Sequence, residues 1–218
     1  MRPKALVSWS GGKDSCFAAM QALAQGYEPV VLLNVLNEEG KISRSHGIPD
    51  VILKAQAQAA GWPVHLIAAS WQTYEAHFTE ALKHLKNLYG VTHAIFGDID
   101  LVAHREWEEK VCSQTGLQAV LPLWKQDRKT LVMQMLDANI ETLIVSCNDT
   151  MGSRYLGRRL TPELVEELEE LGMDPCGENG EFHTLVTYCP LFQKPIPVTL
   201  TQTLRHNDYW FSQLALQQ

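Results

Sequence analysis

The sequence predicts an α/β protein, built as a parallel-sheet domain followed by a smaller α+β portion. Three observations carry this. Short β-prone runs alternate strictly with helical segments from residue 4 to about residue 147, which implies right-handed β-α-β units around a parallel sheet. The run Pro29–Val35 (PVVLLNV) is continuously apolar, as in strands covered on both faces. After about Asn148 the alternation gives way to one acidic helix and two β-prone runs separated by Pro190, Pro195 and Pro197.

The elements follow in order. Lys4–Trp9 is an apolar strand that breaks at two glycines, and Asp14–Ala24 is a helix with Phe17, Met20 and Leu23 on one face. Pro29–Val35 is the second strand, and the polar stretch Asn37–Ser45 is a loop. Helices are expected at Val51–Ala60, Tyr74–Tyr89 and Val102–Thr115, each stopped by a glycine (Gly61, Gly90, Gly116). Strands are expected at Val64–Ala68, Thr92–Phe96 and Leu117–Leu121. Lys129–Ala138 reads as a further helix, and Thr142–Cys147 (TLIVSC) as another buried strand of the same sheet. Beyond it, Thr161 caps a helix that has Pro162 at its first position and runs through Leu171. Phe182–Tyr188 and Val198–Leu204 close the set as strands. The expected division is a first domain over residues 1–148 and a smaller substrate-binding portion over 149–218.

Composition narrows the class. With 218 residues, 45% of them hydrophobic and 20% charged, the chain suits a globular protein. No apolar run is long enough to span a membrane, and Met1-Arg2-Pro3-Lys4 lacks signal-peptide anatomy. A cytoplasmic protein with no membrane partner is the expectation. The five cysteines (Cys16, Cys112, Cys147, Cys176, Cys189) never form C-x-x-C, which argues against a disulfide framework or structural zinc. A net charge of -7 lacks the basic footprint of a protein that grips nucleic acid.

The chemistry begins at Ser10-Gly11-Gly12-Lys13-Asp14-Ser15. This segment joins the first strand to the first helix, at the sheet edge where ligands of open parallel sheets sit. Two glycines let the backbone approach an anion, and the helix presents unpaired N–H groups with positive partial charge. Ser10 and Ser15 add hydroxyls and Lys13 a mobile charge. Asp14 suits a magnesium ion or a helix cap better than a phosphate. The pattern G-x-x-x-x-G-K-[ST] fails because Val7 and Asp14 stand at its Gly and Ser/Thr positions, and G-x-G-x-x-G is absent from this turn. ATP is the expected ligand.

S-G-G-K-D-S after a first strand resembles the PP-loop of the N-type ATP pyrophosphatases, which have an adenine-nucleotide α-hydrolase-like, Rossmann-like (HUP) fold. The resemblance implies cleavage of ATP between the α and β phosphates, adenylation of a substrate oxygen, and displacement of AMP by a nucleophile. The rest of the chain is more specific. Gly97-Asp98-Ile99, Arg105-Glu106-Trp107 with Cys112, Pro122-Leu123-Trp124, and above all Cys176-Gly177-Glu178-Asn179-Gly180-Glu181-Phe182-His183-Thr184 resemble the diphthine–ammonia ligase family over nearly the whole chain. That resemblance implies ATP- and ammonium-dependent amidation of a carboxylate, that of diphthine on elongation factor 2 where the host makes it, or another acid in bacterial members. A homodimer is compatible with it.

Roles for single residues follow. The Gly177–Thr184 block brings two carboxylates, His183 and Thr184 together around Asn179-Gly180, itself a strong hairpin-turn signal. Glu178 and Glu181 are candidates to attract a cationic substrate or to deprotonate ammonium. His183 is a candidate catalytic residue beside Lys13, and Gly177, Asn179, Gly180 and Thr184 would shape the substrate site. Gly97 would allow close approach to the nucleotide, and Asp98 would hold magnesium or cap a helix. His46 is placed near ATP by the resemblance, although a lone loop histidine more often meets solvent. Arg105 would bind a phosphate or carboxylate, or make a surface ion pair. Trp62, Trp71, Trp107 and Trp124 read as core. Two rivals remain: a PP-loop tRNA-modifying enzyme, which the acidic charge and missing cysteine pair disfavour, and a non-catalytic ATP-binding sensor.

Overall fold

The computed structural model describes residues 2–217. The chain begins with β1 (Lys4–Ser8), α1 (Lys13–Ala24), β2 (Glu28–Leu36), α2 (Asp50–Ala60), β3 (Val64–Ala68), α3 (Tyr74–Tyr89), β4 (His93–Ile95), α4 (Val102–Thr115) and β5 (Gln118–Val120). These five strands are parallel, in the order β3-β2-β1-β4-β5. The order reverses beside β1, so the turns after β1 and β4 open a crevice at the C-terminal edge of the sheet.

Strand alternation distributes the apolar residues to two faces. Ala5, Val7, Trp9, Leu32 and Leu36 pack with α1 and α2. Leu6, Val31, Leu33 and Val35 pack with α3 and α4. The apolar run in β2 is thus divided between two cores. On α3, Phe78, Leu82 and Leu85 share the inward stripe, each contributing about 2 kcal/mol by burial.

The remainder comprises α5 (Arg128–Asp137), β6 (Glu141–Asn148), a 3-10 turn at Ser153–Tyr155, α6 (Pro162–Glu170), β7 (Phe182–Tyr188), β8 (Val198–His206) and β9 (Tyr209–Leu216). Thr161 caps α6 by accepting from the Leu164 N–H at 3.3 Å. The four strands form an antiparallel sheet in the order β7-β6-β9-β8.

Two sequence expectations change here. β6 belongs to the antiparallel sheet and not to the parallel one, so the second sheet takes in residues before position 148. A continuous apolar run is buried on both faces in either sheet; its true partners, β7 and β9, come later in the chain. β9 itself was not anticipated. Its signal was Asn207-Asp208 between two β-prone runs: His206 pairs with Tyr209, and Asn207 takes φ 52°, as a two-residue hairpin loop requires.

The two sheets share one core, which runs from α1 and α2 through β6 and β7 to α5 and α6. The buried Gln56 side chain stitches the seam. It donates to the carbonyls of Gly11 (3.0 Å) and Val186 (2.7 Å) and accepts from the Trp9 indole (3.0 Å). The Val186 N–H donates to Gly11 O at 2.9 Å. Strand β7 is therefore bonded directly to the loop that follows β1.

Candidate active site

The Ser10–Ser15 loop is organised before any ligand is considered. The Ser15 hydroxyl bonds the Ser10 N–H (3.2 Å) and hydroxyl (3.0 Å), and the Gly12 N–H donates to Ser10 Oγ at 3.2 Å. Helix α1 starts at Lys13 with no side-chain cap, so its first-turn amides lack intrahelical acceptors. Gly12 and Gly97 have steric reasons to be glycine. A Cβ at Gly12 would lie 2.5 Å from His46 Cε1, and one at Gly97 would lie 2.7 Å from the Ser15 nitrogen. Gly97 thus permits close approach of the start of α1.

Lys13 is almost fully buried. Its Nζ lies 2.9 Å from both Asp14 carboxylate oxygens and 2.5 Å from the Cys176 carbonyl. Burial is the largest single influence and works to discharge it, but the negative groups around it, Asp14 foremost with Cys176 and Glu178, together outweigh burial and hold its pKa above the ordinary value. The Lys13 N–H donates to Thr184 Oγ1 at 3.1 Å, and the Thr184 carbonyl pairs with His46 Nδ1 at 2.8 Å.

The Gly177–Thr184 block is a loop leading into β7, not a hairpin. Gly180 has φ +82°, but Asn179 stays out of the left-handed region that a type I′ turn needs at both positions. Arg128 holds this loop. Its guanidinium grips Asp100 through two bonds (2.7 and 2.8 Å), Asp174 at 2.5 Å and Asn179 Oδ1 at 2.9 Å. The Glu181 carboxylate turns back onto the loop, accepting from the Asp174 N–H, the Asn179 N–H and the Asn179 side chain at 3.1–3.3 Å. The Gly180 carbonyl accepts from the Tyr209 hydroxyl at 2.8 Å.

One cavity of about 600 Å³ collects most of the candidate residues, a size typical of small-ligand sites. Ser10, Lys13, Asp14, Ser15, His46, Gly97, Asp98, Gly177, Glu178, Gly180, His183 and Thr184 line it. Glu181 and Asn179 support the loop from outside its lining. Arg105 is elsewhere: it pairs with Glu109 at 2.7 Å and lies over the Trp124 ring, the surface ion-pair alternative.

Electrostatics divide the carboxylates. Burial pushes the Glu178 carboxyl up to about 8, and repulsion from Asp14 adds to the rise. Burial also acts to raise Asp98, yet hydrogen bonds from His104 (2.7 Å) and Glu108 hold it below the ordinary carboxylate range. Glu108, 3% exposed, is pushed up to about 11 by burial and by its bond to Asp98. Glu108 therefore carries the proton and Asp98 the charge. Burial keeps His46 and His183 neutral, and their ring centroids lie 4.6 Å apart with the planes tilted by 32°.

Magnesium fits poorly at Asp14 and Asp98. Asp14 is committed to Lys13, Asp98 to His104 and Glu108, and the described residues contain no group of three His, Cys, Asp or Glu side chains that could hold a metal.

Several lining residues escaped the sequence reading. Glu108 and His104 lie one helical turn apart on α4 and meet Asp98, a spacing legible only once Asp98 is known to face that helix. Tyr74, Trp107 and Trp71 also line the cavity. Trp71, expected in the core, is 71% exposed beneath the Arg44 guanidinium.

Comparison with known proteins bears directly on this arrangement. Residues 3–119 match the model of the diphthamide synthase N-terminal domain, and residues 127–217 match that of the C-terminal domain. The chain belongs to the diphthamide synthase family. Relatives named diphthine–ammonia ligase include the mouse and human proteins, each 28% identical, with 99% of this chain and 89% of theirs covered. The zebrafish relative is 29% identical over 97% of this chain and 92% of its own. Among solved structures, a predicted subunit of tRNA methyltransferase from Methanocaldococcus jannaschii has a TM-score of 0.48 and 18% identity, over 88% of this chain and 100% of that one. In this diphthamide synthase family member, the gap between the two matched domains falls just before α5. The site is built from both: Lys13, His46 and Asp98 come from the first, Glu178, His183 and Thr184 from the second. No helix among the described residues is long and apolar enough to cross a membrane.

Proposed function

We propose that this chain is an ATP-dependent carbon–nitrogen ligase that adenylates the carboxylate of diphthine and converts it to the amide with ammonia. The observation that carries the reading is the junction of Lys13 with Thr184. It puts a phosphate loop and a carboxylate-bearing loop into one cavity, as two successive reactions on one substrate require. The names of the relatives supply the acceptor and the nitrogen source.

ATP suits the site. The cavity continues into a recess lined by Ser8, Asn34, Ser43 and Tyr74, at the C-terminal ends of β1 and β2, which would take the base. The phosphates would lie over the first turn of α1, where Lys13 and the backbone amides meet the charge building on pyrophosphate as it leaves.

In the second reaction Glu178 acts as the base. Its carboxylate takes a proton from ammonium, and its raised pKa makes that transfer more favourable than to an ordinary carboxylate. The nitrogen lone pair then attacks the acyl carbon, the carbon–oxygen bond to AMP breaks with its electrons on the phosphate oxygen, and the second proton shed by the nitrogen leaves on the AMP phosphate or to water. Neutral His183 borders this region, and Thr184 fixes the loop.

The test is product analysis with ATP, ammonium chloride and diphthine-bearing elongation factor 2. AMP, pyrophosphate and amide in equal amounts are expected; ADP and phosphate as products defeat the reading.

A further inference from the structure

We propose that Trp71, with Arg44, Ile42 and Val102, forms the surface on which a protein acceptor docks, so that its carboxylate side chain enters the cavity past this rim. The inference rests on the ligase reading and adds the surface that recognises the body of the acceptor.

Trp71 is 71% exposed, yet it is held in place. It belongs to the short turn between β3 and α3. There the Ser70 N–H donates to Thr73 Oγ1 at 3.0 Å, the Thr73 N–H donates to Ser70 Oγ at 3.2 Å, and the two hydroxyls pair at 3.2 Å. The indole stacks against Tyr74 with ring centroids 5.8 Å apart, and the Arg44 guanidinium lies 4.6 Å from the Trp71 ring centre. Arg44 is itself tied to the sheet, its N–H donating to the Val35 carbonyl at 3.1 Å. A rigidly presented aromatic ring loses little conformational freedom when a partner covers it, and tryptophan and arginine are enriched among the residues that dominate binding energy at protein interfaces.

Position ties this anchor to the site. Trp71 lines the cavity as well as facing solvent. Ile42, 39% exposed, lies in the connection after β2, and Val102, 56% exposed, opens α4 between the cavity-lining Leu101 and Ala103. All three stand at the C-terminal edge of the parallel sheet, with β1 and its phosphate loop between Trp71 and Val102. Single apolar residues scattered over a surface are ordinary, but a group gathered at a cavity mouth marks a contact.

What covers this rim follows from the acceptor. A carboxylate carried on a protein reaches the cavity only when the polypeptide around it abuts the mouth. A free acid would enter and leave the outer faces of Trp71, Ile42 and Val102 in water. The charges of the loop after β2 are paired among themselves, Lys41 with Glu39 at 2.8 Å and Arg44 with Glu38 at 3.4 Å. The rim therefore offers a partner apolar and aromatic contact more than net charge.

The test compares two acceptors with the full chain: diphthine-bearing elongation factor 2 and free diphthine. For Trp71→Ala, the rise in half-saturating acceptor should be at least tenfold greater with the protein than with the free amino acid, and Trp71→Phe should recover most of the difference. Ile42→Ser combined with Val102→Ser alters two residues that do not line the cavity. This double variant should raise half-saturating elongation factor 2 at least tenfold and leave the kinetics with free diphthine within threefold of wild type. Equal losses with both acceptors, or a rise in half-saturating ATP in their place, assign the rim to the nucleotide or the reacting side chain and overturn the docking surface. A wild-type dimer that Trp71→Ala dissolves in sedimentation also overturns it, since a second copy would then cover the rim. A second arm needs no turnover. Elongation factor 2 titrated calorimetrically into enzyme loaded with α,β-methylene ATP should bind the wild type and bind Trp71→Ala at least tenfold more weakly. Equal binding to both, or none to the wild type, overturns the proposal. If the wild type binds but forms no amide with either acceptor, the ligase reading fails and the surface stands on the binding arm. If Trp71→Ala does not fold, the Ile42/Val102 double variant carries both arms.

Discussion

The backbone N–H of Lys13 donates to the hydroxyl of Thr184 across 3.1 Å, although 171 residues separate the two in sequence. Thr184 is buried, and its carbonyl also pairs with His46. One residue of β7 thus fixes the phosphate loop and an imidazole beside it. Thr184→Val keeps the shape and removes the acceptor. The expected result is a loss of about 1–3 kcal/mol in stability, the cost of an unpaired buried N–H. A several-fold higher half-saturating ATP concentration should accompany it, and Thr184→Ser should restore both. Urea unfolding and initial-rate kinetics read the two effects.

Lys13 carries two duties, and its removal should show both. Losing a preorganised charge at the leaving group lowers the AMP-forming rate by on the order of a hundredfold. Losing its bonds to Asp14 and the Cys176 carbonyl lowers the melting temperature as well. A Lys13→Ala protein that releases pyrophosphate at the wild-type rate would contradict the proposed role.

The two glutamates of the C-terminal block should separate cleanly. Glu178 faces the cavity, whereas Glu181 accepts three bonds from its own loop. Glu178→Gln should retain ATP–pyrophosphate exchange and lose amide formation at least tenfold. Glu181→Gln should lower stability and leave the pH profile unchanged. A base must be ionised to accept a proton, so the wild-type amidation rate should rise as pH increases through about 8. Glu178→Gln should flatten that rise when the two profiles are compared at a constant concentration of free ammonia.

Glu108 supplies a stability prediction of the opposite sign from that of most carboxylates. Its folded-state pKa is raised from 4.5 to about 11, so between those values the folded protein binds a proton that the unfolded chain does not. Stability then falls as pH rises through that window. Glu108→Gln mimics the protonated side chain and escapes this loss. Equal stability is expected near pH 4, and at pH 8 the variant should exceed wild type by at least about 1 kcal/mol, since one pKa unit corresponds to about 1.4 kcal/mol. Parallel urea titrations at the two pH values check it; a variant less stable than wild type at pH 8 contradicts it.

The parallel half of the fold was legible because its signals are local. Gly61, Gly90 and Gly116 close α2, α3 and α4, and the glycine pair after β1 marks the phosphate loop. The sheet that β6 joins was not legible, because an apolar run does not say which partners cover it. The site divides in the same way. Lys13 and Glu178 stand in contiguous motifs, so the sequence exposed them. Glu108 did not stand out, because a glutamate in the acidic run Glu106–Glu109 reads as solvated until the fold turns it inward against Asp98. Arg105 misled for the converse reason: a motif arginine reads as a ligand contact, and α4 points it at Glu109 and Trp124.

In the proposed function, the phosphate loop and the Gly177–Thr184 block perform one coupled reaction. The most direct measurement follows nucleotide products and amide together, with ATP, ammonium and diphthine-bearing elongation factor 2. The predicted result is one AMP and one pyrophosphate for each amide formed, with amide strictly dependent on ammonium. Formation of ADP, or pyrophosphate release with no ammonium-dependent amide, would contradict it.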